Sequence, residues 1–581
     1  MTGDQTRSQP ENYNVGSYIA HRIEELGVSD YFVVPGDSNL TLLDKLLENP
    51  RLRMVECCNE LNTGYAADGY ARALETRTAV VVIPYIVGGL SILNAISGAR
   101  SERLKVIVIS GCPSTTVFVQ GKATHHTPSP TNKDHALHAF QGVTAASVRV
   151  TSAESAADVI DDAVVKCVKK SLPVYIEVPQ DIADAQCRVP RPLNQKLEEA
   201  KQPNRNIEAL KAIRDVWDSA NRPVLLIGGQ VQVSLSRETI QRLVDTLGCP
   251  VFCQPNGRWI SESHPQYWGP FWPGILDSDG ENAVKNSDLW LGLGTAWSDL
   301  HSPAMDQTTN KHRIVSIQYD RVDLPNDRVI EMVELGDLVL ALIESGISNK
   351  PASLPHFKLS HPAHIQAEIK NSEDPLAMTS LFTGIQNTLK EHSTLIADVG
   401  DTWFAACHLK LPPGVDFHMQ LPYASMGWGV PATLGAQIAR SQGRVVLLVG
   451  DGAFQMTAQE ISTMVRMKLN PIIFLFNNLG YKAETVMHDG PYNYIANWDY
   501  TKLATSFFQE AHAESHNPFT EGDVEKGFDL PVFAEKIQSQ ADLLRALQRV
   551  ETENDKLAFL ECCIHPDDMT PELLKLGDSM P

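Results

Sequence analysis

An aspartate and an asparagine that each follow an apolar run are the residues of this chain best suited to holding a metal ion. Asp451 comes shortly after the run 445–449, and Asn478 comes shortly after the run 472–476. Unbroken apolar runs are typical of parallel strands that are buried on both faces. Between the two runs, residues 457–468 carry apolar side chains at the spacing of one helix face. The segment therefore predicts a strand–helix–strand unit.

The carboxyl ends of parallel strands meet at one edge of a sheet, so we expect Asp451 and Asn478 to converge there. The connecting helix begins at the same edge, where its free N–H groups and partial positive charge favour an anion. A carboxylate and an amide oxygen form a typical partial shell for Mg²⁺, which water and phosphate oxygens complete. The sequence therefore predicts a Mg²⁺-diphosphate site, although Gly450-Asp451-Gly452 alone is more often an ordinary strand-to-helix turn.

The whole chain alternates short apolar runs with helical stretches, as βαβ units do. A chain of 581 residues is too long for one hydrophobic core. Polar, proline-bearing segments at 189–206 and 349–373 indicate linkers. We therefore predict an α/β protein with three doubly wound parallel-sheet domains at 1–188, 206–348 and 374–581. The candidate strands are residues 31–34, 78–83, 106–110, 174–178, 223–228, 249–253, 289–294, 313–318, 394–397, 445–449 and 472–476.

The charge and composition of the chain indicate which kinds of binding partner it can have. The net charge of −21 argues against a nucleic-acid surface, which needs a clustered basic excess. No apolar run approaches the ~20 residues that cross a bilayer, and the first residues lack the apolar core of a signal peptide. The ten cysteines follow no disulfide or zinc framework, so we expect buried free thiols. A cytoplasmic protein with no nucleic-acid or membrane partner is the resulting expectation.

The spacing from Gly450-Asp451-Gly452 to the Asn pair resembles the thiamine-diphosphate motif. By that resemblance Asp451, Asn478 and the carbonyl of Gly480 would ligate Mg²⁺, and the two glycines would lie against the cofactor.

Two further segments resemble parts of the same site. In IADVGDTW, Gly400 and Asp401 would approach the pyrimidine and the diphosphate, and in SMGWGVPATLGA, Met426 would prop the two cofactor rings into a V shape. A methionine at such a position is also an ordinary core residue.

The stretch CCNELNTGYAADGYARA places Glu60 in the first turn of a helix rich in small residues. An acid there is more often only a favourable contact with the helix dipole. The stretch resembles the pyruvate decarboxylase family, however, in which this glutamate activates the cofactor. The resemblance covers nearly the whole chain and implies pyrimidine-binding, middle and diphosphate-binding domains in that order. It also implies a homodimer or homotetramer, because the glutamate of that family reaches a cofactor bound mainly by the partner subunit.

Asp37 in VVPGDSNL, the pair His125-His126 in GKATHHTPSP and Glu484 in NNLGYKAE occur in the order of this family. Each alone is more often a turn residue, a solvated loop feature or a commonplace helix start. Together they would supply carboxylates and imidazoles for proton transfer near neutral pH. The resemblance implies non-oxidative decarboxylation of a 2-oxo acid, pyruvate or a larger analogue, to an aldehyde and CO₂ through a thiamine-diphosphate enamine.

The chain departs from the family pattern where the substrate pocket is shaped. The differing segments are 83–86 (IPYI), 127–130 (TPSP) and Lys482-Ala483, which stands where a threonine and a β-branched residue are usual. An insertion around residues 511–529 is also unusual. The physiological 2-oxo acid is therefore open. Two alternatives also stay open: a thiamine-dependent carboligase that forms acyloins, and a non-catalytic paralogue that acts as a binding subunit.

Overall fold

The computed structural model describes residues 12–129, 132–201, 203–276, 279–303, 310–351, 367–507 and 531–579. The chain divides into two compact units, Met1–Gln202 and Pro203–Pro581. The insertion around 511–529 and Pro130 lie outside the described residues. None of the helices among the described residues is both long and apolar enough to cross a membrane.

The first unit is built on a six-stranded parallel sheet with the order β3-β2-β4-β5-β7-β6, and β1 and β8 form a small antiparallel pair. Its strands are β1 (Tyr13–Asn14), β2 (Asp30–Val33), β3 (Arg53–Glu56), β4 (Thr78–Ile83), β5 (Lys105–Cys112), β6 (Ala146–Arg149), β7 (Val174–Pro179) and β8 (Gln186–Cys187). Its helices are α1 (Val15–Glu25), α2 (Leu40–Leu47), α3 (Glu60–Ala73), α4 (Val87–Ser101), α5 (Thr115–Gln120), α6 (His135–Gln141), α7 (Ala153–Lys170) and α8 (Leu193–Glu199).

The strand order of this sheet reverses beside β2, because β3 lies on one side of β2 and β4 on the other. The connections that follow β2 and β4 therefore leave the sheet in opposite directions, and α/β proteins usually bind ligands at the carboxyl edge beside such a reversal. Every residue of β4 is buried, as expected for a central parallel strand.

The second unit begins with a seven-stranded sheet of order β11-β10-β9-β12-β13-β14-β15. Its strands are β9 (Pro223–Ile227), β10 (Val251–Cys253), β11 (Tyr267–Pro270), β12 (Leu289–Leu293), β13 (Ile314–Ile317), β14 (Arg321–Leu324) and β15 (Arg328–Glu331). Its helices are α9 (Asn206–Ser219), α10 (Arg237–Leu247), α11 (Asp279–Lys285) and α12 (Leu335–Glu344). Here β14 and β15 run antiparallel, which a purely parallel sheet does not include. The chain between Ile317 and Arg321 is too short for the crossover that a parallel pair needs.

The second unit continues with a six-stranded parallel sheet of order β17-β16-β18-β19-β21-β20. Its strands are β16 (Thr394–Ala397), β17 (Asp416–Met419), β18 (Val445–Gly450), β19 (Ile472–Asn477), β20 (Val532–Ile537) and β21 (Leu557–Cys563). Its helices are α13 (Met378–Thr388), α14 (Asp401–Cys407), α15 (Gly429–Ala439), α16 (Asp451–Thr457), α17 (Glu460–Arg466), α18 (Lys482–Met487), α19 (Tyr500–Ser506), α20 (Gln540–Thr552) and α21 (Pro571–Ser579). The strand order reverses between β16 and β18, so the carboxyl ends of these strands are a second expected ligand position.

The predicted α/β class with three parallel-sheet domains is confirmed, with the antiparallel edge of the middle sheet as a difference. Each candidate strand coincides with an observed one to within two residues at either end. The linker predicted at 189–206 contains α8, so it is not entirely loop. The boundaries at 1–188, 206–348 and 374–581 stay a prediction.

Candidate active site

Asp451 is a buried carboxylate at the carboxyl end of β18, and its residue is 2% exposed. Its Oδ1 accepts the Gly452 N–H at 2.8 Å and its Oδ2 accepts the Gly480 N–H at 2.9 Å. Within the described residues it forms no ion pair. Burial raises the pKa of Asp451 to about 6, although these backbone hydrogen bonds oppose the shift. Such a carboxylate fits a site that a cation fills.

Asn478 reaches the same edge because β18 and β19 pair in parallel, with Gly450 opposite Phe476. Asn478 is 7% exposed, and its side chain forms no hydrogen bond with the part of the chain that the structure describes. Its amide oxygen is therefore free to bind a metal ion beside Asp451.

The preceding residue, Asn477, has a different role. Its Nδ2 donates to Oε1 of Glu561 at 2.9 Å and to Oδ1 of Asn497 at 3.0 Å. The first asparagine of the pair therefore ties β19 to β21 and to the loop before α19, which leaves the second as the candidate ligand.

Two glycines let the backbone segments around Asp451 approach each other. A Cβ atom on Gly452 would collide with the ring of Tyr481. Gly480 has a φ of +135°, and a Cβ there would collide with the Asn493 carbonyl oxygen. Side chains at these two positions would therefore push apart the loops that carry the candidate ligands.

The helix predicted at 457–468 is wrong in its extent. Helix α16 already begins at Asp451 and ends at Thr457, and α17 follows from Glu460 to Arg466. Gly450 ends β18, so Gly450-Asp451-Gly452 is a strand end followed directly by a helical turn. The apolar spacing missed α16 because its first residues are too small or polar to mark a helix face.

Gly400 and Asp401 lie at the carboxyl end of β16. Gly400 has φ +124° and ψ −157°, a backbone conformation open only to glycine. The Asp401 carboxylate accepts hydrogen bonds from the hydroxyl and the N–H of Thr570, the latter at 3.2 Å. Burial raises the pKa of Asp401 to about 6. The Asp401 carboxylate is thus engaged within the chain.

Met426 is partly exposed on the turn before α15. The turn is fixed from two sides: Thr457 Oγ1 donates to the Gly427 carbonyl at 2.7 Å, and the Gly429 N–H donates to Oδ2 of Asp398 at 2.9 Å. Burial raises the pKa of Asp398 to about 7. Asp398 carries no sign of this role in the sequence, since an acid after a strand does not reveal a partner that lies so far along the chain.

Glu484 lies in the first turn of α18 and is exposed in its unit. The preceding Lys482 is buried, and its ammonium lies 5.7 Å from the ring centroid of Tyr494. The short helix therefore carries an exposed carboxylate at Glu484 and a largely buried lysine side chain whose ammonium lies near Tyr494.

In the first unit, the structure brings Asp37 and the His pair together. His125 Nε2 lies 3.0 Å from Asp37 Oδ2. The rings of His125 and His126 have centroids 4.3 Å apart, and His126 has a φ of +64°. The Asp37 loop is closed by the Asn39 side chain, which accepts the Gly36 N–H and donates to the Val34 carbonyl, both at 3.0 Å.

Glu60 is the first residue of α3 and is partly buried. Asn59 caps the helix by accepting the Asn62 N–H at 2.9 Å. A Cβ built on Gly88 would lie 3.2 Å from Glu60 Oε1, so the carboxylate lies against the start of α4. Just before α4, Ile86 has a φ of +38°, which is rare for a β-branched residue.

The site residues predicted from the sequence thus form two groups. Asp37, Glu60, His125 and His126 belong to the first unit, and the metal ligands, Met426 and Glu484 belong to the second.

Comparison with known proteins agrees with these two groups. Residues 13–136 match the family described as thiamine pyrophosphate enzyme, N-terminal TPP binding domain. Residues 210–344 match its central domain, and residues 398–562 match its C-terminal TPP binding domain.

Curated relatives match nearly the whole chain. "Pyruvate decarboxylase 3" of Arabidopsis thaliana is 35% identical over 97% of this chain and 92% of its own length. "Probable pyruvate decarboxylase Pdc101" of Schizosaccharomyces pombe is 32% identical over 99% of this chain and 98% of its own length. "Pyruvate decarboxylase 1" of Pisum sativum is 34% identical over 97% of this chain and 92% of its own. The resemblance found in the motifs is thereby confirmed, and the chain belongs to the thiamine-pyrophosphate enzymes, in the family of the pyruvate decarboxylases.

Proposed function

We propose that this protein catalyses the non-oxidative decarboxylation of a 2-oxo acid, pyruvate or a larger analogue, to an aldehyde and CO₂, with thiamine diphosphate and Mg²⁺ as cofactors. The observation that carries the proposal is the buried Asp451, without an ion-pair partner among the described residues, beside Asn478 at the reversal point of its sheet. In a chain of this family, that arrangement fits a metal-bound diphosphate.

Asp451, Asn478 and the carbonyl of Gly480 would hold Mg²⁺, which prefers oxygen ligands and keeps open positions for phosphate oxygens. Gly450 would leave room for the diphosphate beside it, and Gly452 would meet the cofactor with its backbone, since the Tyr481 ring fills the space where a Cβ of Gly452 would lie. The Asp451 carboxylate already links these segments through its hydrogen bonds to Gly452 and Gly480, so the site is ordered by the chain itself.

When bound, thiamine diphosphate supplies a nucleophilic carbon that adds to the ketone carbon of the substrate and accepts the electron pair released with CO₂. Glu60 would share a proton with the pyrimidine ring. Met426 would support the two rings of the cofactor. Hydrogen bonds to Asp398 and from Thr457 fix the turn that carries Met426. The backbone at Gly400 and Asp401 would approach the pyrimidine.

Asp37, His125, His126 and Glu484 would hold and move the protons of the reaction. Imidazoles change charge near neutral pH, which suits them to give and take protons. The contact between Asp37 and His125 would orient that ring. The family resemblance implies that Glu484 would lie near the departing carboxylate, and its side chain is exposed on its unit.

We further propose a homodimer or homotetramer with active sites at the subunit interface. The support is the family resemblance, which implies that Glu60 reaches a cofactor bound mainly by another copy. A cytoplasmic location, without membrane or nucleic-acid partners, is proposed from composition alone.

The test is to supply thiamine diphosphate and Mg²⁺ with a panel of aliphatic, aromatic and indolyl 2-oxo acids and to measure CO₂ and aldehyde. We expect CO₂ and one equivalent of aldehyde from at least one class. No CO₂ from any member would overturn the proposal. A hydroxyketone as the main product with saturating aldehyde acceptor would instead identify a carboligase. Unchanged activity in Glu60→Gln, Asp451→Ala and Glu484→Gln would contradict the assigned roles.

A further inference from the structure

We propose that Asp37, His125 and His126 form a binding site for Zn²⁺ or a chemically similar transition-metal ion, and that this ion inhibits the enzyme reversibly. The binding stands on the geometry of these three side chains alone. The inhibition rests on the proposed function, in which the same side chains move protons.

The first observation is the convergence of the ligand atoms. One nitrogen from each imidazole and one oxygen of the carboxylate all lie within 4.8 Å of one another. The Asp37 and His125 atoms are already 3.0 Å apart. A tetrahedral zinc ion with bonds of ~2.0–2.2 Å keeps its ligands ~3.3–3.6 Å apart. Small rotations of exposed side chains would therefore complete the set.

The second observation is the backbone at the His pair. In extended chain, successive side chains point to opposite sides, so adjacent histidines do not share a ligand. His126 instead has a φ of +64°, a left-handed conformation uncommon for residues other than glycine. The two rings consequently lie together, with centroids 4.3 Å apart. This backbone conformation makes neighbouring histidines available to one ion.

The chemistry of the ligand set selects the kind of ion. Two imidazoles and one carboxylate suit Zn²⁺, Co²⁺ or Ni²⁺ and leave a fourth position for water. Mg²⁺ prefers sites made of oxygen atoms, so the Mg²⁺ that the enzyme requires would not compete effectively. A bound ion would occupy the nitrogen lone pairs that accept protons, and activity would return when a chelator removes it.

The test uses Co²⁺ as the probe, added to the full-length protein with Mg²⁺ and thiamine diphosphate present. Equilibrium dialysis counts the bound ions, and visible absorption reports their coordination. We expect one Co²⁺ per chain that depends on this cluster, with affinity reduced at least about tenfold in each of Asp37→Asn, His125→Gln and His126→Gln. His565→Gln is the matched control, because His565 Nδ1 lies 3.7 Å from Asp567 Oδ2 in an exposed His–Asp pair of the second unit. This variant should leave Co²⁺ binding unchanged.

Equal Co²⁺ binding in the three variants and wild type would overturn the proposal, as would an absorption band of a thiolate ligand. Binding without chelator-reversible inhibition would refute the inhibitory role only. Because dialysis needs no turnover, a protein that binds Co²⁺ here but releases no CO₂ would refute the proposed function and leave the metal site standing.

A separate observation concerns Lys482, and from it we infer an additional contact to the diphosphate of the cofactor. This inference rests on the proposed cofactor site. Lys482 is 8% exposed, and among the described residues its ammonium has neither an ion pair nor a hydrogen bond. It lies 5.7 Å from the ring centroid of Tyr494 and within electrostatic range of Asp451. The Lys482 side chain is largely buried and its ammonium has no direct anionic partner in the described part of the chain, so an anion beside Asp451 would be stabilised by this charge.

A diphosphate at Asp451 would be that anion, since its negative charge exceeds what one Mg²⁺ neutralises. Lys482 is also the first residue of α18, so it lies in the loop-to-helix segment that follows Gly480. The charge that this chain carries in place of the family's threonine would therefore strengthen cofactor binding.

Equilibrium dialysis of thiamine diphosphate with Mg²⁺ tests this contact without measuring activity. Lys482→Met should raise the dissociation constant at least about tenfold, as expected for a lost charge-assisted contact. Lys482→Arg should largely retain affinity, and Lys502→Met, at an exposed lysine paired with Asp499, should match wild type. Wild-type affinity in Lys482→Met, or equal loss in the methionine and arginine variants, would overturn the contact. Absence of cofactor binding in wild type would instead refute the proposed function.

Discussion

The two glycines beside Asp451 offer a sharp test of the diphosphate site, because the chain surrounds them differently. A Cβ atom added to Gly450 meets no heavy atom of the described residues within 4 Å, and Gly450 has a φ of −75°. A Cβ added to Gly452 would lie 2.7 Å from Cδ1 of Tyr481 and closer still to Cε1 of the same ring. Alanine at the two positions should therefore have opposite effects.

Gly450→Ala should leave the free energy of unfolding of the cofactor-free protein unchanged or raise it by up to ~1 kcal/mol, since alanine restricts the unfolded chain. If the diphosphate fills the open space beside Gly450, the methyl group would crowd it. An overpacking cost of ~1–3 kcal/mol corresponds to a dissociation constant for thiamine diphosphate that rises by roughly 5- to 150-fold.

Gly452→Ala should instead destabilise the cofactor-free protein. Alanine in a helix gains ~1 kcal/mol over glycine, but the overlap with the Tyr481 ring costs ~1–3 kcal/mol. The free energy of unfolding should therefore fall by up to ~2 kcal/mol. Tyr481→Ala in the double variant removes the overlap, so a double-mutant cycle should show a favourable coupling between the two changes.

Urea unfolding followed by circular dichroism measures the cofactor-free stability, and equilibrium dialysis with Mg²⁺ measures cofactor affinity. Wild-type affinity in Gly450→Ala would show that the open space is not where the diphosphate lies. A Gly452→Ala protein that unfolds at the urea concentration of wild type, or no coupling with Tyr481→Ala, would refute the packing argument.

Three further outcomes are expected. Asn478→Ala should leave cofactor-free stability unchanged and weaken Mg²⁺-dependent cofactor binding at least about tenfold. Asn477→Ala should lose ~1–3 kcal/mol of stability, because the buried Glu561 loses one of its donors and keeps Lys536 at that oxygen. Equal losses of stability in the two variants on urea unfolding would contradict these separate roles. Asp398→Ala leaves the Gly429 N–H without its acceptor and should lower the free energy of unfolding by ~1–3 kcal/mol. An unchanged urea midpoint would refute the role of Asp398 in fixing the turn before α15. Burial lowers the pKa of His301 from 6.5 to about 4, so the unfolded chain binds this proton at higher pH than the folded one. The stability that depends on a neutral His301 is fully present above pH ~6.5, and the free energy of unfolding should decline by about 3 kcal/mol as the pH falls to ~4. The His301→Gln variant should lack this decline, and parallel pH profiles of the stability of the two proteins would contradict the prediction.

The strands predicted from the sequence are those in which burial leaves a direct mark as an apolar run. Strands such as β4 and β19 are buried at every residue, so each appears as an unbroken apolar run. Strand β3 was missed because only Val55 of its residues is buried, which leaves no such run. The start of α16 was missed for the related reason that small residues do not define a helix face.

The candidate ligands were predictable to the extent that they lie within one strand–helix–strand unit. Asp451 and Asn478 follow adjacent parallel strands, so their proximity follows from chain order alone. The pairing of Asp37 with His125 connects loops that are far apart in sequence, and only the family resemblance suggested it. The hydrogen bonds of Thr570 to Asp401 and of Gly429 to Asp398 could not be predicted from the local sequence, because each depends on how separate loops pack.

Strained backbone explains why local sequence patterns do not predict the loops of the site. Ile86, His126 and Leu479 have positive φ, which side chains other than glycine adopt only when surrounding contacts impose it. Each lies beside a candidate site residue: Ile86 precedes the helix that contacts Glu60, and Leu479 joins Asn478 to Gly480. Local propensity opposes all three conformations, so a pattern built on propensity fails at the loops that form the site. The buried strands adopt the conformation that their residues prefer locally. Their packing holds the ends of these loops and stabilises the strained positions.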